Sequence, residues 1–84
     1  MPEHPVPPAE VEHALRRVRA ATYRVETTTE GTSLALVMKA SHAGRRNAAA
    51  KIAGLLTDHG LALDAPEPVE ALTGSAEPLH VVRG

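Results

Sequence analysis

The sequence predicts an α+β fold, a two-layer sandwich with two helices packed on one face of an antiparallel sheet. Three observations predict it. Residues 41–60, SHAGRRNAAAKIAGLLTDHG, have the apolar spacing of an amphipathic helix, residues 23–40 read as a β-hairpin, and the residues after Pro8 carry a second helical stripe. The predicted order is α-β-β-α-β(-β), one small domain over residues 9–84 behind a flexible, proline-rich arm over residues 1–8.

The arm comes first. In MPEHPVPP each of Pro2, Pro5, Pro7 and Pro8 pushes the residue before it out of helical geometry, so an extended start is expected. Pro8 also suits the first turn of a helix, and from there Val11, Ala14, Leu15, Val18 and Ala21 fall on one stripe. Glu10 and Glu12 near its start, with Arg16, Arg17 and Arg19 towards its end, match the helix dipole.

Tyr23 to Ala40 alternates in the manner of strands. A tight turn at Glu30-Gly31 would set Thr29 against Thr32, Thr27 against Leu34, Val25 against Leu36 and Tyr23 against Met38. Apolar residues of both strands then share a face, and Arg24, Glu26 and Thr28 share the other with Val37, Ala35 and Ser33. The next helix starts at Ser41, an N-cap whose side chain serves the free amides, and closes at Gly60. Ala48, Ala49, Ile52, Leu55 and Leu56 form its core face. LALD, VEALT and LHVVR supply one to three short strands, with GSAEP as a turn.

Eighty-four residues hold a single core, which buries only about 60% of the unfolded surface and leaves a net stability of roughly 4–12 kcal/mol. The chain has no Cys, Trp or Phe, and its one aromatic residue is Tyr23. Disulfide scaffolds and cysteine-ligated zinc are excluded, and a base-stacking platform for single-stranded nucleic acid lacks its aromatic faces. Seven arginines against two lysines, with fifteen alanines, follow the composition of a GC-rich bacterial genome. No run is long enough to span a membrane, and the start lacks the basic and apolar regions of a secretory signal, so a soluble cytoplasmic protein with no membrane partner is expected.

Catalysis has no motif to rest on. The sequence holds no Gly-x-Ser-x-Gly, no phosphate-binding loop, no dinucleotide fingerprint and no His-Glu-x-x-His. Ser33, Ser41 and Ser75 each have a local structural role. His4, His13, His42, His59 and His80 are scattered, and no two have the i, i+4 spacing of a helical metal site. A non-enzymatic protein without cofactor or metal is expected.

The net charge of -1 conceals a gradient: residues 1–38 sum to -1, residues 39–51 to +4 and residues 52–84 to -4. The basic segment coincides with the start of the central helix. Gly44, Arg45 and Arg46 lie where free amides already present partial positive charge and where stability alone would favour acids. Lys39, His42, Arg45, Arg46 and Lys51 are therefore the candidate binding residues, their expected ligand the phosphate backbone of a nucleic acid. The corner over residues 39–51 is similar to the strand-to-helix corner of double-stranded RNA-binding domains, where basic residues meet phosphates. The order of elements departs from that family, with one strand fewer before the helix and another after it, and the pI of about 6.5 lies far below that of such domains.

The alternative is a protein-interaction or regulatory module whose basic patch meets an acidic protein surface. Apolar Ala35 and Val37 on the uncovered sheet face, or an uncovered edge strand, would then serve a partner or a homodimer.

Overall fold

The computed structural model describes residues 6–29, 31–74 and 77–84. Val6 and Val11 show how the chain enters its first helix. Helix α1 spans Pro8–Ala14, with Pro7 as N-cap and a proline in the first turn. Val6 therefore precedes the cap and Val11 stands at the fourth helical position, the arrangement in which two apolar residues staple the chain to its helix. Both are buried, and the Thr32 hydroxyl donates to the Val6 carbonyl at 2.6 Å. Residues 1–5, most of the expected arm, lie outside the described residues.

α1 is shorter than its stripe suggests. Its cap is Leu15, followed by tight turns in which Arg16 N–H reaches the His13 carbonyl and Val18 N–H reaches Leu15, then a 3-10 turn at Ala20–Thr22. Leu15 is buried and Val18 packs on the core, so the apolar positions point inward whether or not the helix continues. Apolar spacing alone thus misplaces the helix end, and Arg16, Arg17 and Arg19 follow the α-helix.

Strands β1 (Tyr23–Thr28) and β2 (Gly31–Leu36) form the predicted hairpin in a register two residues away from the expected one. Val25 faces Leu34, Tyr23 faces Leu36 and Thr28 faces Gly31. The turn thus lies one residue earlier than Glu30-Gly31, and Glu30 itself lies outside the described residues. A slip of two keeps every side chain on its own face, so the hydrophobic pattern fits both registers equally. Local chemistry separates them. Gly31 has φ 132°, open to glycine and strained for other residues, and the Thr28 hydroxyl donates to its carbonyl at 3.3 Å. At the other end the Thr22 carbonyl accepts from the amides of Val37 and Met38, and β2 stops at Leu36.

Helix α2 spans His42–Asp58, and the Ser41 hydroxyl accepts from Gly44 N–H as expected of the N-cap. Ala49, Ile52 and Leu56 are buried, with Ala48 and Leu55 against them. Gly60, at φ 75°, turns the chain into β3 (Leu61–Leu63). Next comes a departure from the expected order: VEALT lies within a third helix, α3 (Pro68–Gly74), before β4 (Leu79–Arg83). The observed order is α-β-β-α-β-α-β. Ser75 and Ala76, in the predicted GSAEP turn, lie outside the described residues.

The result is a four-stranded antiparallel open sheet in the order β1-β2-β4-β3. Leu34, Leu36, Leu61, Leu63 and Val81 meet Val11, Leu15, Ile52, Leu56 and Leu72 of the helices in one core. Arg24, Glu26, Ser33, Ala35, His80, Val82 and Ala62 alternate onto the other face. On that face Ala35 is 2% exposed and offers a partner little surface; Val37, beyond the strand, is 41% exposed.

Docking of Val6 and an ion pair from α1 help hold the first described residues to the sheet. Val6→Ala, which removes two buried carbons of the staple, should lower unfolding free energy by about 1.5–3 kcal/mol in urea titration; an unchanged midpoint would mean that Val6 is not docked. The second contact is the fork of Arg83 on Glu10, at 2.9 and 3.0 Å. That hydrogen bond, and then the charge of Arg83, hold the Glu10 carboxyl below its ordinary 4.5. The stabilisation is present above 4.5 and is lost as pH falls through the lowered folded-state value. Glu10→Gln should therefore melt lower than the parent at neutral pH and lose less stability on acidification, read from thermal melts across the acid range.

Candidate functional site

The segment predicted as a basic corner begins where β2 leaves the sheet, α2 starts and α3 ends. Arg45 is partly buried at its centre. Its Nε–H donates to the Thr73 carbonyl at 3.0 Å and its Nη1 to the Met38 carbonyl at 2.8 Å. One guanidinium thus joins the β2 exit to the carboxyl end of α3, where unsatisfied carbonyls favour a cation. Thr73 is itself buried and its hydroxyl donates to Val69 O at 2.7 Å, so the acceptor is held firmly.

Arg46, one residue on, forms an ion pair with Glu70 of α3. Both side chains remain about half exposed, at 53% and 46%, so the pair is hydrated and of small energetic weight. Glu67 stands beside them, and Arg46, Glu67, Pro68, Val69 and Glu70 line a shallow open depression of mixed charge.

The remaining candidates do not converge. Lys39 lies exposed in the connection from β2, His42 is exposed at the first residue of α2, and Lys51 is exposed farther along the helix. At about 100° per residue, Lys51 projects roughly 140° around the axis from Arg46. The helix entrance is also less open than an anion site requires. Gly44 N–H is taken by Ser41, and Arg45 N–H bonds to the Ser41 carbonyl. A side chain at Gly44 would meet the Cβ of Ala40 at 3.2 Å, so this glycine serves the close approach of the chain rather than access for a ligand.

Two features escape the sequence reading. His13 and His59, far apart in sequence, meet edge to face with ring centroids 5.7 Å apart at the carboxyl ends of α1 and α2. Arg16 donates to His13 Nε2 at 3.2 Å, which assigns the His13 proton to Nδ1, and the His59 Nδ1–H donates to Leu55 O at 3.0 Å. Among the described residues no group of three or more His, Cys, Asp or Glu is placed to hold a metal ion. Helical spacing of apolar residues on both segments is the only signal that brings these rings together.

The second feature is the free rim of β1. The Val37 N–H to Thr22 C=O bond sets the phase of the ladder: even-numbered residues of β1 bond inward to β2. Tyr23, Val25 and Thr27 therefore direct their N–H and C=O groups away from the sheet, and no backbone bond to them is found among the described residues.

No protein-family model, curated protein or solved structure matches the chain. Among the described residues no helix is long and apolar enough to cross a membrane.

Removing each arginine in turn separates structural from surface roles. Arg45→Ala, which leaves two carbonyls without their charged donor, should cost about 2–4 kcal/mol in urea unfolding, and Arg45→Lys should recover only part of it. Arg46→Ala should cost less than about 1 kcal/mol. Equal small effects would show that Arg45 is an ordinary surface residue.

Proposed function

We propose that this protein is a non-enzymatic protein-interaction module that receives an extended strand of a partner along β1. The observation that carries this reading is the rim of β1, where Tyr23, Val25 and Thr27 turn their N–H and C=O groups outward with no backbone partner among the described residues. The other edge, β3, has three residues and offers far less ladder.

The phosphate-backbone reading has less to draw on. With Arg45 and Arg46 bonded inside the chain, it is left with Lys39, His42 and Lys51, spread over separate surfaces. The near-neutral overall charge and the neighbouring Glu67 and Glu70 also suit a protein partner better than a polyanion.

Proline on the rim tests the proposal. The Val25 and Thr27 amides point away from the fold, so Val25→Pro and Thr27→Pro remove docking donors without breaking the ladder to β2. Immobilised native protein should retain a strand-donating protein, a second copy of this chain included, and either variant, with an unchanged circular-dichroism spectrum, should lose it. The native protein should also leave the anisotropy of a labelled random-sequence duplex unchanged in low salt. Binding to the duplex that falls steeply with added salt, together with capture indifferent to proline, would overturn the proposal.

A further inference from the structure

Resting on the reading of β1 as the docking strand, we infer that its partner is a second copy of this chain, joined by antiparallel β1 strands about a two-fold axis at Val25. The backbone supplies the first reason. Tyr23, Val25 and Thr27 all turn their polar groups outward, so a two-fold axis through Val25 matches outward residues with outward residues: Val25 with the partner's Val25, Tyr23 with the partner's Thr27, and Thr27 with the partner's Tyr23.

The side chains supply the second. Arg24 and Glu26 project together from the open face and form an ion pair at 3.3 Å, with 59% and 41% of their side chains exposed. In the register centred on Val25, Arg24 faces the partner's Glu26 and Glu26 faces the partner's Arg24. Each arginine then lies between its own carboxylate and the partner's, a closed ring of four alternating charges. Moving the axis by one residue sets Arg24 against the partner's Arg24, or Glu26 against the partner's Glu26. One register is thus selected by charge and its neighbours are penalised.

The third reason lies in what β1 lacks. Edges that stay single are commonly protected by charged side chains, proline, a bulge or short length; the two charges of β1, Arg24 and Glu26, are opposite in sign and oppose no second copy in this register. β1 has six residues in unbroken register with β2, no proline, no lysine and no bulge. On the helix-covered side Val25 and Tyr23 are half-buried, and pairing brings valine against valine and tyrosine against threonine, contacts that favour a sheet. Pairing would give one continuous eight-stranded sheet with the short β3 strands at its ends.

Charge exchange tests the register. Sedimentation equilibrium of the native chain should show a monomer–dimer equilibrium. Arg24→Glu alone sets Glu against Glu at both symmetry-related positions, and Glu26→Arg alone sets Arg against Arg; each should weaken self-association by about tenfold or more. An equimolar mixture of the two variants restores opposite charges at both positions and should form a one-to-one heterodimer near native affinity, as should the double variant with itself. Recovery on mixing also shows that each variant is folded. A native chain that stays monomeric at its highest soluble concentration overturns the self-pairing. A dimer indifferent to both exchanges, or variants that do not recover on mixing, overturns the register. In all these cases strand docking of a different protein is judged separately, by the rim prolines in the capture experiment.

Discussion

The guanidinium of Arg45 is the contact on which the arrangement of the second half of the chain depends. It spans two carbonyls, Met38 just beyond β2 and Thr73 near the end of α3, and so fixes the start of α2 between them. An arginine in the first turn of a helix is disfavoured by that helix's own dipole. Here the same side chain meets the carboxyl end of a neighbouring helix, where the dipole favours it. Arg46 does likewise with the carboxylate of Glu70. What looks in the sequence like a concentration of unspent positive charge is matched on the far side by a helix of seven residues.

That helix is also why the site was harder to read than the fold. Val69, Ala71 and Thr73 alternate as in a strand, yet the helical markers are present: Pro68 at the first turn, Glu70 soon after, Gly74 at the end, and Val69 and Leu72 three apart. Once VEALT is taken as a strand, nothing remains to receive Arg45, and the arginine doublet is left pointing into water. The misreading of α3 and the placing of the arginine doublet in open water are therefore one error. The Ser41 cap, the core face of α2, the partition of faces in the hairpin and the α+β class were legible because local chemistry and hydrophobic period agree there.

Where period alone had to decide, it could not. A two-residue register slip leaves the faces of β1 and β2 unchanged, so only the φ of Gly31 and the hydrogen bonds around Thr22 and Thr28 distinguish the pairings. The end of α1 is hidden for a similar reason, because Leu15 and Val18 turn inward in a tight turn as well as in a helix. Sheet order is likewise absent from local pattern. β4 inserts between β2 and β3, and this long-range pairing leaves β1 as a full-length outer strand.

The proposal of a docking edge in place of a phosphate site depends on the internal use of Arg45, whose guanidinium donates to Thr73 and Met38. The Nε–H signal of Arg45 in a proton–nitrogen correlation spectrum, followed during titration with inorganic phosphate, tests that use most directly. Bonded to Thr73, the proton should exchange slowly with water and its shift should not move with phosphate. Exchange as fast as at Arg17 and Arg19, with a shift that tracks phosphate concentration, would contradict the account and return the helix entrance to the role of an anion site.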